Sequence, residues 1–132
     1  MLRLALVVCV AVAMSAVLSH LARADDGDAA AGEQVFKKCQ VCHTIEEGAP
    51  GKTGPNLFGV VGRRAGTAEG FERYSPALME SGVVWDEAAL SQWLRGPAKF
   101  IPGVRMPFKL AEDGDIANII AYLMANLPEP PE

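Results

Sequence analysis

The chain has 132 residues, of which 50% are hydrophobic and 21% are charged, and its formal net charge is −4. A chain of this length holds one domain. Nucleic acid is excluded as a partner, because attraction to the phosphate backbone dominates that affinity and an acidic domain lacks it.

The first 24 residues are typical of a secretory signal peptide. Arg3 gives a basic start, residues 4–18 are apolar, and the Ala-Arg-Ala that ends at Ala24 is the small-x-small pattern that signal peptidase accepts. We predict cleavage after Ala24, which leaves 108 residues in the periplasm. The net charge then falls from −4 to −6, because Arg3 and Arg23 leave with the leader. The alternative is an uncleaved leader that tethers the domain to the membrane, although its apolar run is shorter than the roughly 20 residues of a usual span.

No later apolar run is comparable with that of the leader. The mature domain is therefore expected to be soluble and not embedded in the membrane. We place this domain at residues 25–127, followed by a tail at residues 128–132 that is rich in proline and glutamate.

Residues 39–43 read CQVCH, and Cys39, Cys42 and His43 are the only cysteines and histidine after the predicted leader. A structural zinc site needs four ligands, one more than these three residues supply. A thioredoxin-type pair is expected among alternating strands and helices, and a disulfide here would close too short a loop to constrain much. The motif favours covalent haem attachment, in which each thiol adds across a vinyl group and His43 binds the iron axially.

Four helices are predicted, and the first carries both cysteines at its C-terminal end. The four cover about residues 28–42, 75–81, 86–95 and 114–126. Ser75 is a good N-cap, Pro76 suits the first helical position, and Gly96 with Pro97 ends the third helix. The strand-like pieces LFGVV and GVVW are too short for a core sheet. The sequence therefore predicts an all-α domain with long loops.

Met106 is the candidate for the second axial ligand. Met79 and Met124 fall in predicted helices, where their spacing is typical of packed residues. Met106 lies instead in RGPAKFIPGVRMPF, which has no periodicity and whose prolines and glycines prevent a helix from running through it. A loop stiffened in this way can hold a thioether against iron. The alternative is that Met106 only fills a gap in the core.

The motifs CQVCHT, KTGPNLFGVVGR, GVVW, FIPGVRMPF and IIAYL carry a family resemblance. From Gly32 to about Leu123 the chain resembles a class I cytochrome c, in the branch shared by mitochondrial cytochrome c and its bacterial relatives. The resemblance implies a small all-α fold of about four helices wrapped around one covalently attached haem. It also implies that the first and last helices cross at Gly32, Phe36 and Tyr122.

The resemblance implies a set of haem contacts as well. Cys39 and Cys42 would attach the haem, and His43 and Met106 would bind its iron. The remaining contacts would be Pro55 as hydrogen-bond acceptor for His43, Arg63, Tyr74 and Trp85 near a propionate, Phe108 at the exposed edge, and Trp93 near Met106. Without the resemblance, the aromatic residues are more typical of an ordinary core than of a haem contact, and Arg63 is more typical of a solvated turn.

The chain departs from the family pattern at several of these places. Trp93 stands where the mitochondrial branch has a tyrosine that hydrogen-bonds the ligand sulfur, and an indole can donate but not accept. Leu78 replaces a buried asparagine, and Val104 replaces a propionate-binding threonine. The loop between Phe71 and Tyr74 is one residue longer, and the segment between Phe36 and Cys39 is one residue shorter. The ligand set is expected to survive these changes. The family's fine tuning of the haem reduction potential is not expected to carry over.

These features predict a soluble, monomeric one-electron carrier and not an enzyme, because His/Met ligation fills both axial positions of the iron. The expected partners are redox complexes, namely a quinol-oxidising donor and a terminal oxidase or other acceptor, which dock transiently at the haem edge. The alternatives are a catalyst or ligand sensor, in which Met106 leaves the iron, and a permanently bound electron-entry subunit.

Basic residues flank the segments expected around the haem. They are Lys37, Lys38, Lys52, Arg95, Lys99, Arg105 and Lys109. They form either a docking rim for acidic partners or a scatter of solubilising charges.

Overall fold

The computed structural model describes residues 26–130 and is all-α over that range, as predicted. Its helices are α1 (Ala29–Phe36), α2 (Pro76–Glu80), α3 (Glu87–Arg95), α4 (Pro97–Phe100) and α5 (Asp113–Ala125). The described residues contain no strand, and their one β-type pairing is an isolated antiparallel bridge between Arg64 and Val84. The predicted leader at residues 1–24 and the last two residues of the tail lie outside this range.

The first helix is shorter than predicted and ends before the thiols. The Asp28 carboxylate caps it by accepting from the backbone N–H of Ala31 at 2.8 Å. At its other end, the Cys39 N–H donates to the Phe36 carbonyl at 2.7 Å, and the Cys42 N–H donates to the Cys39 carbonyl at 3.0 Å. Bonds that span three residues tighten a helix end, so CQVCH lies on a run of turns directly after α1.

The crossing of α1 and α5 forms the centre of the core. Phe36 is completely buried, and its ring centroid lies 5.3 Å from that of Tyr122. The helices approach each other closely at Gly32, where a Cβ would lie 2.0 Å from the carbonyl oxygen of Asn118. Only glycine fits there, because a backbone atom of the partner helix occupies the space that a side chain would need.

Helix α3 packs against both α4 and α5. Asp86 caps α3 by accepting from the Ala89 N–H at 2.7 Å, and this helix buries Leu90, Trp93 and Leu94. The short helix α4 was not predicted. It forms because proline is tolerated at the first helical position, where its missing N–H has no intrahelical partner in any case.

The longest helix of the described range, α5, has 13 residues. Within residues 26–130, no helix has the length and apolar character needed to cross a membrane.

Candidate functional site

A largely apolar cavity of about 500 Å³ lies beside the crossing of α1 and α5. This volume falls within the roughly 300–1,000 Å³ that is usual for cofactor sites. All ten predicted site residues line it: Cys39, Cys42, His43, Pro55, Arg63, Tyr74, Trp85, Trp93, Met106 and Phe108. The fold therefore brings together residues that are up to 69 positions apart in the chain.

The His43 ring is fixed from two directions. Its Nδ1 lies 2.7 Å from the carbonyl oxygen of Pro55. Since a carbonyl can only accept, Nδ1 carries the proton and Nε2 keeps a free lone pair. Gly54 packs against the ring, so closely that a Cβ on Gly54 would lie 2.4 Å from Cε1. Burial lowers the pKa of His43, although the bond to Pro55 opposes this, and the neutral imidazole is the form that binds a metal.

The two thiols lie at the edge of the cavity on the turns after α1. Cys39 and Cys42 are half-buried and are not joined by a disulfide. Burial raises the pKa of Cys39 to about 11, while the neighbouring Lys38 ammonium opposes the rise. Val41, between the two thiols, is 78% exposed, so the short segment presents one apolar side chain to solvent beside the cavity.

Met106 reaches the same cavity from the long loop between α4 and α5. The loop is anchored where the Ile101 N–H donates to the Pro97 carbonyl at 2.9 Å, and where the Leu110 N–H donates to the Leu94 carbonyl at 2.8 Å. Between these anchors, residues 102–109 form no backbone hydrogen bond with another described residue. Prolines and two buried anchors, rather than regular structure, therefore set the position of Met106.

The aromatic lining is packed edge to face. The ring centroids of Trp85 and Trp93 are 5.1 Å apart at an interplanar angle of 63°, which is a favourable geometry for aromatic pairs. The hydroxyl oxygen of Tyr74 accepts from the backbone N–H of Ala68 at 3.0 Å, and its own proton stays available to donate. This hydrogen bond joins the two ends of the loop from Ala68 to Tyr74, and Tyr74 also lines the cavity.

Arg63 enters the wall of the cavity with a fixed guanidinium. The group donates to the carbonyl oxygens of Asn56 at 3.0 Å and Phe58 at 3.2 Å. Burial lowers its pKa, and the nearby Tyr74 opposes this shift. The guanidinium remains charged, so a cation is held at the inner wall.

The lining fits a haem. A haem is a flat apolar macrocycle with two carboxylate groups, and the cavity pairs aliphatic and aromatic walls with four cationic residues and no aspartate or glutamate. The cations are Lys38, Arg63, Arg73 and Arg105. This arrangement in a chain of net charge −4 matches a ligand that is apolar over most of its surface and anionic at one end.

Among the lining residues that were not predicted as site residues, three bear on the geometry of the site. Gly54 stands in the motif KTGPNLFGVVGR, which was the available signal. Ser75 was assigned only a capping role, and it does cap α2, but it is also buried against the cavity. Arg73 belongs to the loop that is one residue longer than in the mitochondrial branch, and no motif marks it.

Comparisons with known proteins agree with the fold. The family model described as Cytochrome c matches residues 29–126. The cytochrome c of Guizotia abyssinica is 46% identical over 110 residues, which cover 82% of this chain and 98% of that protein. The cytochrome c2 of Rhodoblastus acidophilus is 48% identical over 98 residues, which cover 74% of this chain and 91% of that protein. The structure of cytochrome cH from Methylobacterium extorquens superposes with a TM-score of 0.70 and 46% identity. The superposition covers 75% of this chain and 99% of that protein.

The chain belongs to the cytochrome c family, as the sequence motifs predicted. Members of this family are electron carriers and not enzymes. The chain binds haem c covalently through Cys39 and Cys42, and this cofactor makes it an electron carrier.

Proposed function

We propose that the protein is a soluble periplasmic carrier of single electrons, with His43 and Met106 as the axial ligands of its haem iron. It would accept electrons from a quinol-oxidising complex and pass them to a terminal oxidase or another acceptor. The observation that carries this proposal is the cavity itself, whose lining includes one imidazole and one thioether. The haem supplies reversible one-electron exchange.

The residues around His43 support its role as a ligand. The Pro55 carbonyl holds the proton on Nδ1, which leaves Nε2 free to bind a metal. This hydrogen bond also makes the ring a stronger electron-pair donor to the metal. No other histidine occurs in residues 25–132, so His43 is the one imidazole that the mature chain can offer.

The positions of the other methionines support Met106 as the second ligand. Met79 is 47% exposed and Met124 is 41% exposed, and neither lines the cavity. With His43 and Met106 on the iron, no position is left for oxygen or a substrate, and a methionine ligand raises the reduction potential. This set favours an electron carrier over a catalyst or sensor.

The other lining residues have roles that follow from their donors and shape. Arg63, Tyr74 and Trp85 would provide N–H and O–H donors for the haem carboxylates. Phe108 and Trp93 would exclude water from the haem faces, because their large apolar rings lie in the cavity wall. A site closed to water favours electron exchange, since little solvent must reorganise.

The ligand set is tested with the optical spectra of the purified protein, ferric and ferrous, and of two variants. We expect a weak charge-transfer band at the red edge of the ferric spectrum, which Met106→Ala abolishes. Met79→Ala removes the same side chain outside the cavity and should keep the band. A parent protein without the band, with a high-spin ferric spectrum, would contradict His/Met ligation and make the catalytic or sensing function the better one.

Export and leader removal are part of the proposal. Intact mass and N-terminal sequence of the protein from the native periplasm should give a chain that begins at Asp25. A chain that begins at Met1 and fractionates with membranes would replace the soluble carrier with a tethered one.

Docking is proposed to use the cations at the edge of the cavity. Lys38, Arg73 and Arg105 line the cavity while remaining exposed, and they would attract acidic surfaces on redox partners. The rate of reduction by a purified quinol-oxidising complex should fall as ionic strength rises. A rate that stays flat or rises with added salt would contradict a basic rim.

The predicted monomeric state is tested separately, by gel filtration of the native protein.

A further inference from the structure

The segment of residues 51–55, which we call the support segment, sets the position of His43. Its Pro55 carbonyl accepts from Nδ1 at 2.7 Å, and Gly54 packs against the imidazole ring. The Gly54 N–H also donates to the Cys42 carbonyl at 2.7 Å. Any displacement of this segment therefore moves the hydrogen-bond acceptor and the packing surface of the ring together.

The support segment has no regular secondary structure of its own. Within it, the Lys52 N–H donates to the Gly54 carbonyl at 2.9 Å, and the Lys52 ammonium donates to the Gln40 carbonyl at 2.7 Å. These bonds are local to the segment and to the CQVCH turns. The next residue, Asn56, is held through its carbonyl by the Arg63 guanidinium. A contact from elsewhere to the segment itself would further restrain it against the rest of the domain.

That contact comes from Arg73. Its guanidinium donates to the carbonyl oxygen of Lys52, 21 residues away in the chain. The guanidinium also lies over the ring of Phe71, 5.4 Å from its centroid, which restrains the long side chain. Phe71 itself touches the support segment, because a Cβ on Gly51 would lie 3.1 Å from the Phe71 ring.

Arg73 is not part of an ion pair among the described residues, whose two salt bridges join Lys38 to Asp115 and Arg95 to Asp113. Its one hydrogen bond to another described residue goes to the Lys52 carbonyl. The planar guanidinium suits this task better than an ammonium, because its donors are fixed in direction and its face stacks on an aromatic ring.

We propose that Arg73 is a positioning residue for His43. It fastens the support segment to the loop that carries Tyr74, and it thereby limits movement of the Pro55 carbonyl away from the imidazole. The inference rests on the proposed role of His43 as the iron ligand. It adds to that role a residue that hydrogen-bonds to neither the imidazole nor the CQVCH turns in the described structure.

The test uses the haem-loaded protein with isotope-labelled histidine. Residues 25–132 contain one histidine, so the label reports on His43 alone. Exchange of the Nδ1 proton with solvent is measured in the ferrous state, and the ring resonances are measured in the ferric state. The variants are Arg73→Ala, Arg73→Lys and Arg64→Ala. Arg64 is the matched control, because it is an exposed arginine that does not line the cavity.

We expect Arg73→Ala to speed exchange of the Nδ1 proton by about tenfold or more, since a bond from a charged donor stabilises a closed local state by at least that factor. The ring resonances should shift as well. Arg73→Lys should restore slow exchange in part, because lysine can still donate one hydrogen bond, and Arg64→Ala should behave like the parent.

Exchange in Arg73→Ala at the rate of the parent, with unchanged ring resonances, would overturn the inference. Equal acceleration in Arg73→Ala and Arg64→Ala would also overturn it, because loss of charge alone would then explain the effect. A parent in which the iron does not displace the ring resonances would refute His43 ligation itself, and the inference with it. The first two outcomes leave the proposed function intact.

Discussion

Replacement of Gly54 by alanine tests the packing of the His43 ring most directly. The added Cβ would lie 2.4, 2.7 and 2.9 Å from three atoms of the imidazole. Carbon atoms in proteins normally approach to about 3.5–4.0 Å, so the ring or the backbone must move by roughly 1 Å. The ring cannot move freely, because its Nδ1 is bonded to Pro55 at 2.7 Å.

Overpacking of this kind typically costs about 1–3 kcal/mol. For a domain of this size, each kcal/mol lowers the melting temperature by about 4–8 °C. We therefore expect Gly54→Ala to melt roughly 8–16 °C below the parent for a mid-range cost of about 2 kcal/mol. The measurement is thermal unfolding of the haem-loaded ferric protein, followed by both far-ultraviolet circular dichroism and haem absorbance.

Gly114→Ala is the matched control. Nothing lies within 4 Å of a Cβ at Gly114, its φ is not left-handed, and it lies in the first turn of α5. Its melting temperature should be unchanged or slightly higher, because alanine favours a helix over glycine. If Gly54→Ala melts within about 2 °C of the parent, a shift below that expected for even 1 kcal/mol, the close approach of Gly54 to His43 does not exist in solution.

The remaining predictions concern α1. Gly32→Ala should destabilise the protein more than Gly54→Ala. Its Cβ would lie 2.0 Å from the Asn118 carbonyl oxygen, and the backbone of a helix cannot move locally to relieve the clash. Equal melting temperatures of the two variants would contradict this crossing geometry. Asp28→Ala should cost about 1 kcal/mol in denaturant unfolding through loss of the N-cap. Asp26→Ala, outside that cap, is its control, and equal midpoints for the two would contradict the capping role.

Features that depend on local sequence could be predicted well. The cap at Asp86, the proline at the start of α2 and the apolar spacing of α5 each act within a few residues, so their helices were placed to within one residue at either end. The CQVCH motif is also local, and the haem it predicted is the cofactor of this family. The roles of the predicted site residues other than Cys39 and Cys42 remain proposals, and the spectra test the two proposed iron ligands.

Features that depend on distant contacts could not be predicted from local patterns. The support of the His43 ring by Gly54 depends on how the chain turns back after residue 50, and the contact of Arg73 with Lys52 joins two loops that have no periodic pattern. The end of α1 was placed too late because turns and a helix share the same local spacing. The helix α4 was missed because its proline was taken only as the end of α3.

The crossing of α1 and α5 has a consequence for how the chain folds. Asp28 and Asn118, which are hydrogen-bonded at 2.8 Å, are 90 residues apart in sequence. Closing a loop of that length costs on the order of 4 kcal/mol in chain entropy, and α1, with eight residues, is too short to persist alone in water. A chain that emerges with its N-terminus first therefore carries α1 without a partner until nearly the whole domain is available. The two ends of the molecule must complete its core together, so loss of the last helix would leave the first one without a structure to join.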